Sequence, residues 1–407
     1  MASAPLNLPD SSLPTLALAH PTEKEKTAQF KQNGAAWRGA LSLELYLRRE
    51  EILASQNLTK DGGLTYWVLI DTAANDRLVL SGCETYRKKA LVARNGKVEE
   101  TITHGIGSVF CPPQLRRRGY TARMMQELGE ALRTWQTEGK ECLFSVLFSD
   151  IGKKFYAAHG WEPFNSSHIS VPAKTSRIID TKDLPTAQPL YEGDLGELCK
   201  IDEAMLRKSL EARPADSNTA VALIPNVDTI RWHHAREDYV GKELHGKAPK
   251  VKGAIVGSEK GKRVWCYWTR MWYNNDPKES KGNTLHVLRL VIEDEGLSSW
   301  KGSGGNHING SGKSHQQNGD GRSSYHESAI VSLLLMAQRE AQEWNMAEIG
   351  TWNPTSVMVS AAQRLDPNTA VVNRDEESIA SLKWHPPHKG LVAESIDWVG
   401  NEKYGWC

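Results

Sequence analysis

One stretch, residues 98–135, constrains the fold more than any other. "VEETITHGIGSVFCPP" (98–113) is rich in β-formers at alternating positions and stops at a proline pair. "QLRRRGYTAR" follows, and then Met124, Met125, Leu128, Leu132 and Trp135 fall at helical spacing. A strand, a glycine-containing turn and an amphipathic helix in direct succession demand a sheet with a helix laid on it. On period-2 alternation His104, Ile106, Ser108 and Phe110 share one face of the strand, and Thr103, Gly105, Gly107 and Val109 share the other. Two glycines on one face leave room for a close approach to the backbone.

The rest of the first half supplies partners for that unit. "LTYWVLID" (64–71), "RLVLSGCETYRKKALVA" (77–93) and "KECLFSVLFSD" (140–150) predict strands, being rich in β-formers and bounded by turn residues. "AAWRGALSLELYLRREEILAS" (35–55) places Trp37, Leu41, Leu45 and Ile52 at helical intervals and predicts one helix. "DIGKKFYAAHGW" (150–161) predicts a short helix closed by Gly160. Residues 1–27, rich in Pro and Ser, read as an unstructured lead. The result is an α/β (α+β) class: a mixed sheet flanked by helices.

At 407 residues two domains are expected. The proline-bearing stretch 171–190 is the predicted link between a first domain (28–170) and a second (191–407). The second half starts with a helix at "GDLGELCKIDEAMLRKSLE", then strands at "VKGAIVG", "RVWCYWTRMWY" and "NTLHVLRLVIE". A tract of 27 residues with eight glycines (296–322) cannot pack and predicts a disordered loop over 296–323. A helix from about Ser324 and strands at "AEIGTWNP" and "SIASLKWH" complete an order that repeats the first half.

Formal net charge is +1, so no global basic field exists to hold nucleic acid or a membrane surface, and neither partner is expected. No apolar run reaches the ~18 residues of a membrane span. The six cysteines form no C-x-x-C pair, which argues against a metal site and fits free thiols in a reducing, cytoplasmic setting. Any anionic ligand must therefore meet a local cluster.

Arg116, Arg117, Arg118 and Gly119 form such a cluster. The first N–H groups of a helix lack internal partners, and the helix dipole adds positive potential. Gly119 permits positive φ or a close anion. A solvated basic turn is the alternative. The segment resembles the pyrophosphate loop of the GNAT superfamily of N-acyltransferases, Arg/Gln-x-x-Gly-x-Gly/Ala, with Thr121 where Gly or Ala is usual. "FSDIGKKFYAAHGW" resembles the same superfamily's second signature. "CETYRKKALVA", "HGIGSVFCPP", the tandem architecture and the chain length are similar to the fungal lysine N6-acetyltransferases.

The resemblance implies tandem GNAT-like sheets, the second copy degenerate and forming one wall of a substrate cleft. It implies acetyl-CoA as cosubstrate, no metal, and L-lysine as the small amine acceptor in lysine catabolism. Val109, Phe110 and Cys111 would meet the pantetheine arm, with Ser149 at the end of the next strand also on the cofactor. Arg116, Arg117, Arg118, Gly119, Tyr120, Thr121 and Ala122 would cradle the pyrophosphate. Tyr156 would protonate the CoA thiolate; the alternative is a core tyrosine with a satisfied hydroxyl.

Acyl transfer needs a neutral amine, and a lysine amine has a pKa of about 10.4, so a base is required. Glu84 and His104 are the candidates. A strand-face salt bridge to Lys88 or Lys89 is the alternative for Glu84, and a partly exposed strand position for His104. Cys111 reads as structural, because direct transfer needs no nucleophile. The adjacent His233 and His234 read as solvated helix residues, since neighbours on a helix point apart. "GSGKS" (310–314) lacks the full phosphate-loop pattern and a leading strand. A protein or polyamine acetyltransferase, and a silent acyl-CoA-binding regulator, are the other functions open to this sequence.

Overall fold

In the computed structural model the alternating stretch is one strand, Lys97–Phe110, and the helical stretch is Tyr120–Ala131, as the change of period requires. The structure describes residues 8–74, 77–174, 179–294 and 321–407, with side chains of the last segment from 324. The expected disordered loop and "GSGKS" lie almost wholly outside the described residues. The first half runs β1 (Leu16–Ala19), α1 (Glu23–Trp37), α2 (Leu43–Ala54), β2 (Leu64–Asp71), β3 (Val79–Arg94), β4 (Lys97–Phe110), α3 (Tyr120–Ala131), β5 (Cys142–Ser149), α4 (Lys154–Ala157), β6 (Glu162–Pro163) and β7 (Ser167–Pro172). The second half runs β8 (Ala187–Leu190), α5 (Leu195–Glu211), β9 (Thr219–Leu223), α6 (Val227–His245), β10 (Gly253–Val256), β11 (Val264–Met271) and β12 (Thr284–Ile292). It ends with α7 (Gly321–Glu343), β13 (Glu348–Trp352), α8 (Ser356–Leu365), β14 (Val372–Asn373), β15 (Ile379–Trp384), α9 (Val392–Ser395) and β16 (Ile396–Trp398).

Two mixed sheets result. The first has the order β1-β2-β3-β4-β5-β15-β6, with β9 paired to the far end of β3 and β16 to β9. The second has the order β14-β7-β13-β12-β11-β10-β8. Each contains an antiparallel run that ends in a parallel pair, β4–β5 and β12–β13. Helix α3 lies between β4 and β5 in the chain, and α7 between β12 and β13. The architecture is therefore repeated, as the order of predicted elements suggested. Among the described residues no helix is long and apolar enough to cross a membrane.

The halves exchange strands. After β5 the chain places β7 beside β13 in the second sheet, while β15 returns to pair with β5 in the first. The proposed link at 171–190 thus cuts into two strands of the second sheet, β7 and β8. Of its three prolines, Pro172 ends β7, Pro185 precedes β8, and Pro189 lies within β8, an edge strand where a missing N–H is tolerated. A core of Ala90, Phe144, Leu195, Val221, Trp265 and Leu288, among others, joins both sheets.

Two local expectations also change. Residues 8–27 are not an unstructured lead: β1 pairs with β2, and Thr22 starts α1 through a capping box with Glu25. The single helix at 35–55 is two, broken where Gly39 takes φ +57° and Ser42 caps α2 by accepting from the Leu45 N–H at 3.2 Å.

Candidate active site

The turn between β4 and α3 has the geometry of an anion cradle. A 3₁₀ turn at Pro113–Leu115 leads into Arg117 at φ +63° and Gly119 at φ +84°. Successive N–H groups in such alternating backbone converge. Gly119 is the N-cap of α3 and offers no side-chain cap, so the first-turn N–H groups keep their positive potential. Arg116, Arg117 and Arg118 are exposed around it. The Arg116 Nε donates to the Cys111 carbonyl at 3.0 Å, and its guanidinium lies over the Phe110 ring. Tyr120 is buried and donates to the Pro9 carbonyl at 2.5 Å. Thr121 turns its hydroxyl toward Ser81 of β3, 3.3 Å away, and Ala122 is half-buried in the first turn. The methyl-bearing side chain at the unusual position is thus held against the sheet.

A gap opens beside this turn. The last β4–β5 pair is Ile106 with Leu147, yet β4 continues to Phe110 along β3 and β5 to Ser149 along β15. Beyond Ile106 the two parallel strands are no longer paired to each other. Their facing backbone groups are free to meet an extended amide chain.

A bulge on β4 turns that gap into a site. The β3–β4 register slips between Gly82–Phe110 and Glu84–Gly107, and Ser108 there has φ +52°. Strict alternation would have put Ser108 and Phe110 beside His104 and Ile106. The bulge instead turns Ser108 toward Glu84, with Oγ donating to Glu84 Oε2 at 2.9 Å. Phe110 meets Trp37 of α1, while Val109 packs in the core under α3. The predicted face assignment holds up to Gly107 and reverses after it. Gly105 and Gly107 do face something close: a Cβ on Gly105 would collide with Cys407 Sγ.

Glu84 is 2% exposed and accepts from the Tyr86 hydroxyl at 2.8 Å as well as from Ser108. Burial, with Glu50 nearby, pushes its pKa up to about 7 against the pull of those two donors. No ion pair to Lys88 or Lys89 forms. Lys88 is buried and donates to the carbonyls of Gly405 and Trp406 at 2.7 and 3.0 Å.

Tyr156 lies in the core on the α3 side of the sheet. It packs under α3 with Cys83, Ile106, Leu147 and Trp161. Burial raises its pKa, so the hydroxyl stays protonated at neutral pH. His104 is not brought to Glu84. It lies on the α3 side, fully buried, with Nε2 3.1 Å from the Trp135 carbonyl. Burial drives its pKa down to about 4. The alternative reading of His104 as a partly exposed strand position fails because α3 and its C-terminal turn cover this face of β4. Ser149 is buried too, its hydroxyl donating to the Gly152 carbonyl at 2.8 Å, so its side chain shapes the turn after β5. Cys111 Sγ lies near the Leu80 carbonyl at 3.5 Å, a structural placement.

Several lining groups carried no motif. From α2, Arg49 and Glu50 pair at 2.6 Å. From α1, Gln29 and Asn33 are buried with amide groups that lack hydrogen-bond partners among the described residues. The second half adds Arg236 of α6, and Lys403, whose Nζ lies 3.3 Å from the Trp406 ring centre; Trp406 stacks on Phe148 of β5 at 4.4 Å. His233 and His234 are buried, not solvated, with Nε2 atoms 3.1 and 3.0 Å from the carbonyls of Tyr404 and Trp268. Helix α6 packs against both β11 and α2, which leaves neither side of it to solvent there. Only tertiary packing brings α2 and α6, from the two halves of the chain, together.

With this geometry in view, comparison with known proteins is informative. Residues 168–407, more than half of the chain, match the family described as the LYC1 GNAT-like C-terminal domain. A lysine acetyltransferase of Yarrowia lipolytica is 24% identical over 366 residues, covering 81% of this chain and 85% of the relative. An uncharacterized protein of Saccharomyces cerevisiae is 21% identical over 415 residues, covering 92% and 93%. Among solved structures, a probable N-acyltransferase from Enterococcus faecalis aligns with TM-score 0.50 at 14% identity, over 91% of this chain and 73% of that one. An N-myristoyltransferase from Saccharomyces cerevisiae aligns with TM-score 0.50 at 10% identity, over 95% and 83%. These structural likenesses are ones of fold. With the turn, the gap and the repeated sheet in place, the chain belongs to the LYC1-like GNAT family and is a GNAT-type N-acetyltransferase like the fungal lysine acetyltransferases.

Proposed function

We propose that the protein moves the acetyl group of acetyl-CoA directly to the 6-amino group of free L-lysine, giving N6-acetyl-L-lysine, in the cytoplasm. The observation that carries this reading is Glu84, a buried carboxylate held by Tyr86 and Ser108 at the edge of the β4–β5 gap. The similarity to a relative named as a lysine acetyltransferase supports the choice of acceptor.

In this reading the converging N–H groups at Gly119 and the start of α3 bind the diphosphate of acetyl-CoA. The open edges of β4 and β5 bind its amide arm. The acceptor ammonium donates to Glu84, which takes its proton. An ordinary lysine ammonium (about 10.4) exceeds Glu84 by roughly three units, a gap of about 4–5 kcal/mol. Burial narrows it, because desolvation disfavours the ammonium, as it does for Lys88 here. The neutral amine attacks the thioester carbonyl, and a β4 backbone N–H stabilises the developing oxyanion. The C–S bond then breaks, Tyr156 gives its proton to the departing thiolate from the α3 side, and the extra proton on the acetylated nitrogen leaves through solvent and restores the tyrosine hydroxyl.

An acetyl-CoA turnover assay across free lysine, ornithine, polyamines and a histone peptide tests the acceptor. Activity on free lysine is expected; activity on the peptide alone would overturn the reading. Tyr156→Phe is expected to lower kcat at least tenfold with the KM for acetyl-CoA little changed. Unaltered turnover would remove Tyr156 from the mechanism.

A further inference from the structure

Most buried cations in this protein have a carboxylate partner. Arg49 pairs with Glu50, Lys252 with Glu237, Arg270 with Glu237 and Glu340, and Arg289 with Asp202 and Glu402. Lys88 is held by two carbonyls instead. Arg236 and Lys403 have neither arrangement: among the described residues no ion pair or hydrogen bond holds either charge. Lys403 is 7% exposed and rests its ammonium only on aromatic faces, 3.3 Å from the Trp406 ring centre and 5.5 Å from that of Trp352. Burying an unpaired cation costs several kcal/mol, a cost that a bound anion offsets.

The two charges lie close in the fold: Arg236 stands one turn along α6 from His233, whose Nε2 is 3.1 Å from the carbonyl of Tyr404, the residue after Lys403. Near Arg236 stands the Tyr273 hydroxyl, on a residue that is 48% exposed. That hydroxyl is 3.2 Å from His286 Nε2 and within the field of Arg236. Burial and then Arg236 hold the Lys403 ammonium well below its usual range. Arg236 itself is lowered to about 10, by burial and then by Arg49, and it also feels Glu50 and Tyr46. Tyr46 in turn feels Glu50 and Glu84. Glu84 is tied to the same elements: its partner Tyr86 meets Trp232 of α6 edge-on at 5.4 Å, and the C-terminal Cys407 lies against Gly105 and Gly107 of β4. Trp406, under Lys403, stacks on Phe148 of β5, one of the two strands that border the gap.

We propose that Arg236 and Lys403 seat the carboxylate of the acceptor, so that the enzyme selects amines bearing an α-carboxylate. This deepens the function proposed above and rests on it. The guanidinium fork suits a bidentate carboxylate, and the ammonium adds a point charge beside it. Held there, the acceptor points its distal amine toward Glu84. Selection then comes from two halves of the chain: the base from β3, the carboxylate seat from α6 and the C-terminal turn.

The test compares L-lysine with cadaverine and lysinamide, which lack the carboxylate charge, in the full-length protein. The intact enzyme is expected to favour L-lysine at least a hundredfold in kcat/KM. Arg236→Met and Lys403→Met are each expected to raise the KM for L-lysine tenfold or more. The KM for acetyl-CoA and the kcat/KM for cadaverine should stay within about twofold. Arg236→Lys and Lys403→Arg should retain part of the preference, which a merely structural role would not show. If L-lysine is a substrate but cadaverine serves equally well, or the variants lose both amines in parallel, the seat is overturned while the lysine reading stands. If only ornithine, or only peptides ending in lysine, are acetylated, the seat is supported and the free-lysine reading falls. If only internal peptide lysines react, both fall.

Discussion

In the proposed mechanism Glu84 is the base, and its burial makes sharp predictions. The base works ionised, so kcat/KM should rise with pH through about 7 and then level off. Glu84→Gln should remove that limb and cut kcat/KM roughly 10²–10⁴-fold. A pH profile that keeps its limb in the variant would assign the base elsewhere. Stability moves the other way. The folded-state pKa is raised from 4.5 to about 7, so the folded protein holds this proton more tightly than the unfolded chain. The penalty is absent below the unfolded value, grows between 4.5 and 7, and is constant above. Glu84→Gln should therefore stabilise the protein by something on the order of 3 kcal/mol at pH 8 and by nothing at pH 4. Denaturant titration at the two pH values measures this. In the sequence Glu84 was visible as a carboxylate in mid-strand. Its partner Ser108 was not, because alternation put Ser108 on the wrong face.

At the scale of elements, the β4–α3 turn was the most legible part. A proline-terminated strand, Arg116, Gly119 and a helical stripe are local features, and local backbone preferences decide such a turn. Gly119→Asp places a Cβ at φ +84°, where it collides with Ser11 Oγ, and adds a negative charge to the cradle. CoA affinity should fall at least tenfold by calorimetry; unchanged affinity would exclude the cradle as the phosphate site. The bulge at Ser108 was illegible because its cause lies on β3, which fixes where pairing resumes. The Thr22-x-x-Glu25 box that starts α1 was present in the residues, yet the proline and serine content makes residues 1–27 read as unstructured. His104 shows the opposite failure. Its position on β4 was read correctly, but the turn that buries it comes from the end of α3.

At the scale of the whole molecule, the halves are tied by exchanged strands and by buried charge. Arg289 of β12 donates to Asp202 of α5 through Nε at 2.9 Å and Nη2 at 3.0 Å, and also pairs with Glu402. Glu402 directly precedes Lys403, so this network sets the C-terminal turn that forms one wall of the site. Asp202→Ala should cost about 3–5 kcal/mol, since it breaks a buried ion pair. It should also weaken acceptor binding more than CoA binding. Equal losses would show that the turn does not depend on the network. The sequence by itself determined the repeated order of strands and helices, the glycine turn between β4 and α3, and the places of Glu84 and Tyr156 in their elements. These follow from periodicity, turn residues and short motifs, which act over a few neighbouring residues. The tertiary structure alone decided that β7 and β15 exchange sheets, that His104 is shut away, and that Arg236 and Lys403 have no ion-pair partner among the described residues. Those outcomes depend on which distant segments bury one another's surface, and pairing across more than a hundred residues leaves no local pattern in the chain.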